Sequence, residues 1–97
     1  MQTAIKRKYL PVAHMLKLKR FSEGYTQAEL AKTMKVHVQY VSNWERGLCL
    51  PPPPQLKWFL GHMNEQEIVS FRMGLGMALA DDIIMRSLKN KAIGPKL

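Results

Sequence analysis

Side chains suited to acid–base, nucleophilic or metal chemistry are sparse in this 97-residue sequence, where His14, His37, His62, Cys49 and the adjacent Asp81-Asp82 stand out. The three histidines show no ligand spacing, and Cys49 has no local partner that marks a catalytic dyad. Adjacent residues on a helix point about 100° apart, so Asp81 and Asp82 suit a solvated patch or half of an interface charge pair. No glycine-rich phosphate loop is present. The expectation is a protein that is not an enzyme and uses neither metal nor cofactor.

Charge points to an anionic partner. Fifteen Lys+Arg oppose seven Asp+Glu, a net charge of +8 with a pI near 9.9. The excess lies mainly in residues 1–50, where Lys6, Arg7, Lys8, Lys17, Lys19 and Arg20 are concentrated. A hydrophobic fraction of 46% argues against wholesale disorder, and the length suits one domain or one domain plus an appendage. The single cysteine excludes an intramolecular disulfide and fits a reducing compartment. No apolar run approaches the ~20 residues that span a bilayer, and the basic N-terminus lacks the apolar stretch of a signal peptide. The expected location is therefore cytoplasmic and nucleoid-associated, with no membrane partner. Composition alone leaves DNA, RNA and an acidic protein open.

The elements that must position these groups read as helices, because no segment sustains period-2 alternation. Leu16, Leu18 and Phe21 supply the apolar contacts of a helix over 12–23. Thr26 and Glu29 form a capping box that opens a second helix, about 26–33. Lys35-Val36-His37 then separates it from a third apolar rhythm at Val38, Val41 and Trp44, closed by Gly47. So brief a connection forces two short helices to cross steeply, with Ala31 small enough to sit at the contact. The run Pro51–Pro54 marks a boundary whose last prolines start a fourth helix, where a missing N–H costs nothing. Asn64 and Glu67 signal a further N-terminus, followed by apolar residues around most of a helix circumference to about Asn90. Gly74 and Gly76 predict a kink or break there.

The combination Thr26-Gln27-Ala28-Glu29-Leu30-Ala31 with Val41-Ser42, Trp44-Glu45-Arg46-Gly47 and Pro51 closely resembles the Cro/C1-type (XRE-like, lambda-repressor-like) helix-turn-helix DNA-binding family. The resemblance implies an all-α, lambda-repressor-like bundle of four or five helices containing a helix-turn-helix, with a C-terminal helical extension. It implies that the third helix enters the major groove while the second crosses the phosphate backbone. The matching positions assign base-edge contact to Val38, Gln39 and Asn43, and phosphate contact to Gln27 at a helix N-terminus. Gln and Asn pair bidentately with adenine, so an A·T-containing half-site follows. Tyr40 and Ser42 fit sugar or phosphate; Lys17, Lys19 and Lys35 supply affinity and steering. Arg20 and Glu45 match a family ion pair that sets the angle of the recognition helix.

Three residues depart from the family pattern. Lys35 stands where the turn usually has Gly, so a positive φ there carries strain. His37 replaces the usual Ser, Thr or Asp at the recognition-helix N-cap, and touches a phosphate only when protonated. Glu23 replaces an apolar residue at the end of the first helix.

The chain divides, on this basis, into a basic arm (1–11), the DNA-binding domain (12–61), a C-terminal helical segment (62–90) and a basic tail (91–97). The expected function is a sequence-specific double-stranded-DNA-binding transcriptional regulator, a repressor that binds a palindromic operator as a homodimer. Phe71, Leu75, Leu79 and Ile83 are the candidate dimer surface. The alternative is an antitoxin-type protein whose C-terminal segment holds a protein partner, a toxin or another regulator, and whose DNA binding autoregulates its operon.

Overall fold

The computed structural model describes residues 7–93, with backbone alone described at 81, 82, 85 and 89–93. The expected arm (1–6) and tail (94–97), and the side chains of Asp81 and Asp82, lie outside the described residues. Five α-helices and no strand occur among the described residues: α1 (Leu10–Ser22), α2 (Gln27–Met34), α3 (Val38–Glu45), α4 (Pro53–Gly61) and α5 (Glu65–Ile93).

Local sequence explains most helix boundaries. α1 starts two residues earlier than expected because Pro11 falls in its first turn, where no N–H is needed. The Thr26 hydroxyl accepts from the Glu29 amide at 3.0 Å, and the Glu29 carboxylate accepts from the Thr26 amide at 2.9 Å. Asn64 and Glu67 repeat this reciprocal pairing at 2.8 and 2.9 Å before α5. Each pair satisfies two donors that a helix start otherwise orphans. Pro53 and Pro54 occupy the first turn of α4.

α1 is the hub, packing on α3, α4 and α5, while α2 packs on α3. Val12, Leu16, Leu30, Val41, Trp44 and Phe59 are essentially fully buried at the centre. Trp44 and Phe59 meet edge-on at 6.3 Å between ring centroids, a favoured aromatic geometry. Ala31 is buried at the α2–α3 crossing, and its carbonyl accepts from the Val36 amide at 2.9 Å. At the end of α3, Gly47 combines φ +77° with a contact that excludes any side chain. A Cβ there would lie 2.8 Å from the Leu10 backbone, and its carbonyl accepts from the Tyr9 amide at 2.9 Å.

The break expected at Gly74 and Gly76 does not occur: α5 is one helix of 29 residues, about 43 Å long at 1.5 Å per residue. Gly74 serves close approach instead. A Cβ on it would stand 2.8 Å from Val12 Cγ1 and 3.2 Å from the Pro11 carbonyl oxygen. The first half of α5 belongs to the bundle, with Phe71, Gly74 and Ala78 buried against it. Past Ala78 the described side chains are exposed, including Ile83, Ile84 and Leu88.

Candidate nucleic-acid interface

α3 has two faces with different jobs. Val41 and Trp44 anchor it in the core, one turn apart. Val38, Gln39 and Tyr40 are exposed around the rest of the helix, with Ser42 and Asn43 half-buried. Of the family-derived base-contact residues, Gln39 and Asn43 share a helix face one turn apart, and Val38 lies about 100° round from Gln39.

The angle of α3 is held by a buried charge network. Arg20 Nε donates to Glu45 Oε2 at 2.5 Å and Nη2 donates to Oε1 at 3.0 Å, while Nη1 donates to the Tyr25 carbonyl at 2.8 Å. Both side chains are nearly inaccessible, at 6% and 4% exposure. The bidentate fork satisfies the carboxylate with fixed geometry, which a lysine could not supply. Gln27 joins the same carboxylate, its Nε2 donating to Glu45 Oε1 at 2.9 Å.

The turn takes the conformation that the missing glycine predicts. Lys35 adopts φ 59°, ψ 44°, the left-handed region, and its amide reaches back to the end of α2. Its exposed ammonium sits at the junction of α2 and α3. His37 does cap α3, through an unexpected atom: its Nδ1 accepts from the Gln39 amide at 3.0 Å. That nitrogen must carry no proton to accept, so protonation of the ring at Nδ1 removes the cap.

Two expected assignments are corrected. Lys19, placed among the phosphate-contacting residues, is only 9% exposed and its Nζ donates to Glu67 at 3.1 Å. It ties α1 to the start of α5 and is no free cation. Phe71, placed on a dimer surface, is 3% exposed and packs in the chain's own core. Leu75 is half-buried against that core, whereas Leu79 and Ile83 are exposed. Lys17 is exposed, its ammonium 6.0 Å from the Phe21 ring centroid. Glu23 is exposed with a carboxylate oxygen 3.8 Å from His62 Nε2, so no apolar packing is needed at that position.

Arg46 is a residue that sequence reasoning passed over. It caps α3 and its Nη2 donates to Asn43 Oδ1 at 2.8 Å. The signal was local, since residues three apart on a helix are neighbours.

Two short crossed helices, the second polar on its outer face and locked from beneath, are the geometry of a helix-turn-helix. Residues 16–57, from within α1 to within α4, match the family model described as Helix-turn-helix. Residues 16–57 are a helix-turn-helix of the Cro/C1 type. Comparison with curated proteins and with solved structures gave no match. A helix-turn-helix of this type indicates a DNA-binding regulator. Among the described residues, no group of three His, Cys, Asp or Glu side chains could hold a metal ion, and no helix is long and apolar enough to cross a membrane.

Glu67 and Glu29 have carboxyls held below their ordinary value of 4.5. In each the largest cause is the hydrogen bond from the backbone amide at the capped position, Asn64 for Glu67 and Thr26 for Glu29. Lys19 adds to the effect on Glu67.

Proposed function

We propose that this protein is a sequence-specific transcriptional repressor that binds a pseudo-palindromic operator as a homodimer, inserting α3 of each copy into the major groove. The observation that carries the reading is the division of α3 between an anchored face at Val41 and Trp44 and an outer amide face with Gln39 exposed and Asn43 half-buried. Such amides read base edges, while Lys17, Lys35, Tyr40 and Ser42 lie on or beside the same helices to meet phosphates. Gln27, at the first turn of α2, offers its remaining Nε2 hydrogen with the helix N-terminal amides.

One recognition helix touches few base pairs, so dimerisation is what gives the site useful length. α5 supports it. Val69, Met73, Met77, Ile84 and Leu88 recur at intervals of four and seven and are all exposed. At 100° per residue they form a stripe whose centre lies about 120° round α5 from that of the buried Phe71, Gly74 and Ala78. Leu79 and Ile83 flank that stripe, so the dimer surface is centred there and excludes Phe71.

Sedimentation of the full chain with increasing operator DNA tests the arrangement. A dimer that saturates a duplex carrying two half-sites about one helical turn apart, and that Met77→Glu splits, is the expected result. A stable monomer that binds one asymmetric half-site tightly would reject the dimer and favour the antitoxin-type alternative, with the stripe given to another protein.

A further inference from the structure

We propose that Arg46 is a specificity-determining positioning residue: it holds the Asn43 amide so that only N–H donors face the DNA, which makes Asn43 a reader of guanine. The inference rests on the proposed reading of α3 as a base-contacting helix, and concerns which base one of its residues selects.

An asparagine amide presents a carbonyl oxygen and an NH₂ group, and only its neighbours decide which faces outward. Arginine has no acceptor, so the Asn43 atom 2.8 Å from Arg46 Nη2 must be the oxygen. Gln39 Nε2 donates to the same Oδ1 at 3.1 Å. Both lone pairs of that oxygen are therefore taken, and the free capacity of Asn43 is two Nδ2 hydrogens. Adenine needs an acceptor for its N6 amino group as well as a donor for N7. Asn43 offers the donor alone, whereas guanine presents two acceptors, O6 and N7, and cytosine presents only an opposing N4 amino group.

Gln39 is left in the opposite condition. One Nε2 hydrogen goes to Asn43, and Oε1 with the second hydrogen stays free, the pair that adenine N6 and N7 require. The A·T preference expected from two adenine-reading amides becomes an ordered pair, adenine for Gln39 and guanine for Asn43. The same logic orients Gln27, because the Glu45 carboxylate can only accept, so Nε2 faces it. The consecutive residues Glu45 and Arg46 thus each fix the orientation of one amide, that of Gln27 and that of Asn43.

The experiment is selection of bound duplexes from a random double-stranded pool by the full chain, in parallel for wild type, Asn43→Ala, Asn43→Asp, Arg46→Met and Arg46→Lys. The column that loses preference in Asn43→Ala marks the base read by Asn43. Wild type is expected to carry guanine there. Arg46→Met should admit adenine, lowering the guanine-to-adenine ratio at least about fivefold, the lower end of what one base contact carries. Other columns should not change, and Arg46→Lys, which still donates and cannot accept, should keep guanine. Asn43→Asp, which presents only acceptors, should exchange guanine for cytosine. An Arg46→Met column identical to wild type, with only overall affinity reduced, overturns the inference and leaves Arg46 a phosphate contact. Guanine retained in Asn43→Asp overturns it independently of any effect of Arg46 on folding. A wild type that enriches no sequence overturns the DNA-reading proposal itself, and this one with it.

Discussion

The Gln27 amide and the Glu45 carboxylate meet at 2.9 Å across the helix-turn-helix, joining the first turn of α2 to the last of α3. Glu45 is shared with Arg20, so one carboxylate connects three helices and sets the angle of α3. Removing the carboxylate strands a guanidinium that is 6% exposed. Glu45→Ala should cost about 3–5 kcal/mol in urea unfolding, whereas replacing Arg20 and Glu45 together by apolar residues of similar volume should recover most of it. A loss under 1 kcal/mol for Glu45→Ala would show that the pair is solvated.

The two glycines of α5 should respond to alanine with opposite signs. Gly74→Ala places a methyl against Val12 Cγ1 and the Pro11 carbonyl, and Val12 is fully buried and stiff at its first torsion. It should destabilise by about 1–3 kcal/mol. Nothing lies within 4 Å of a Cβ on Gly76, so Gly76→Ala should stabilise by about 0.5–1 kcal/mol through helix propensity. Melting temperatures shifted in the same direction by both changes would contradict the packing of α5 on α1.

Lys35 separates stability from binding. Its left-handed backbone at φ 59° favours glycine, so Lys35→Gly should raise stability by about 1 kcal/mol. The same change removes an exposed ammonium at the turn, and should weaken DNA binding evenly across sequences while reducing the salt slope by about one. Titrations at several salt concentrations check this; an unchanged slope would place Lys35 away from the phosphates.

Acid should loosen both capped helix starts. The carboxyls of Glu29 and Glu67 titrate below their ordinary value of 4.5 in the folded chain. A depressed folded value means the contribution is fully present above about pH 4.5 and is lost as pH falls through the lower folded value. Unfolding measured from neutral pH down to about 3 should show a loss that Glu29→Gln and Glu67→Gln each reduce. A profile steepened by either substitution would assign the shifts the wrong sign.

What the residues alone disclosed follows how local the cause is. The Thr26–Glu29 and Asn64–Glu67 boxes and the strained Lys35 are governed by neighbours within a few positions, and all were legible. Lys19 looked like a free cation because Glu67, which neutralises it, lies 48 positions away. Gly74 looked like a helix breaker because its reason is Val12 on another helix. Phe71 looked like an interface residue because apolar periodicity cannot say which side of α5 the chain itself covers. Arg46 was within reach, three residues from Asn43, but as a helix-ending cation it carried no separate mark.

On the proposed function, α3 reads sequence. Its most direct test is titration of the full chain, at one fixed salt concentration, with a selected duplex, a random duplex and a selected duplex changed only at the base assigned to Gln39. Wild type should prefer the selected over the random duplex by about a thousandfold or more. The single-base change should cost about 1–3 kcal/mol, and Gln39→Ala should abolish that one difference while keeping the rest. Equal affinity for all three duplexes, in wild type and variant alike, would contradict the account.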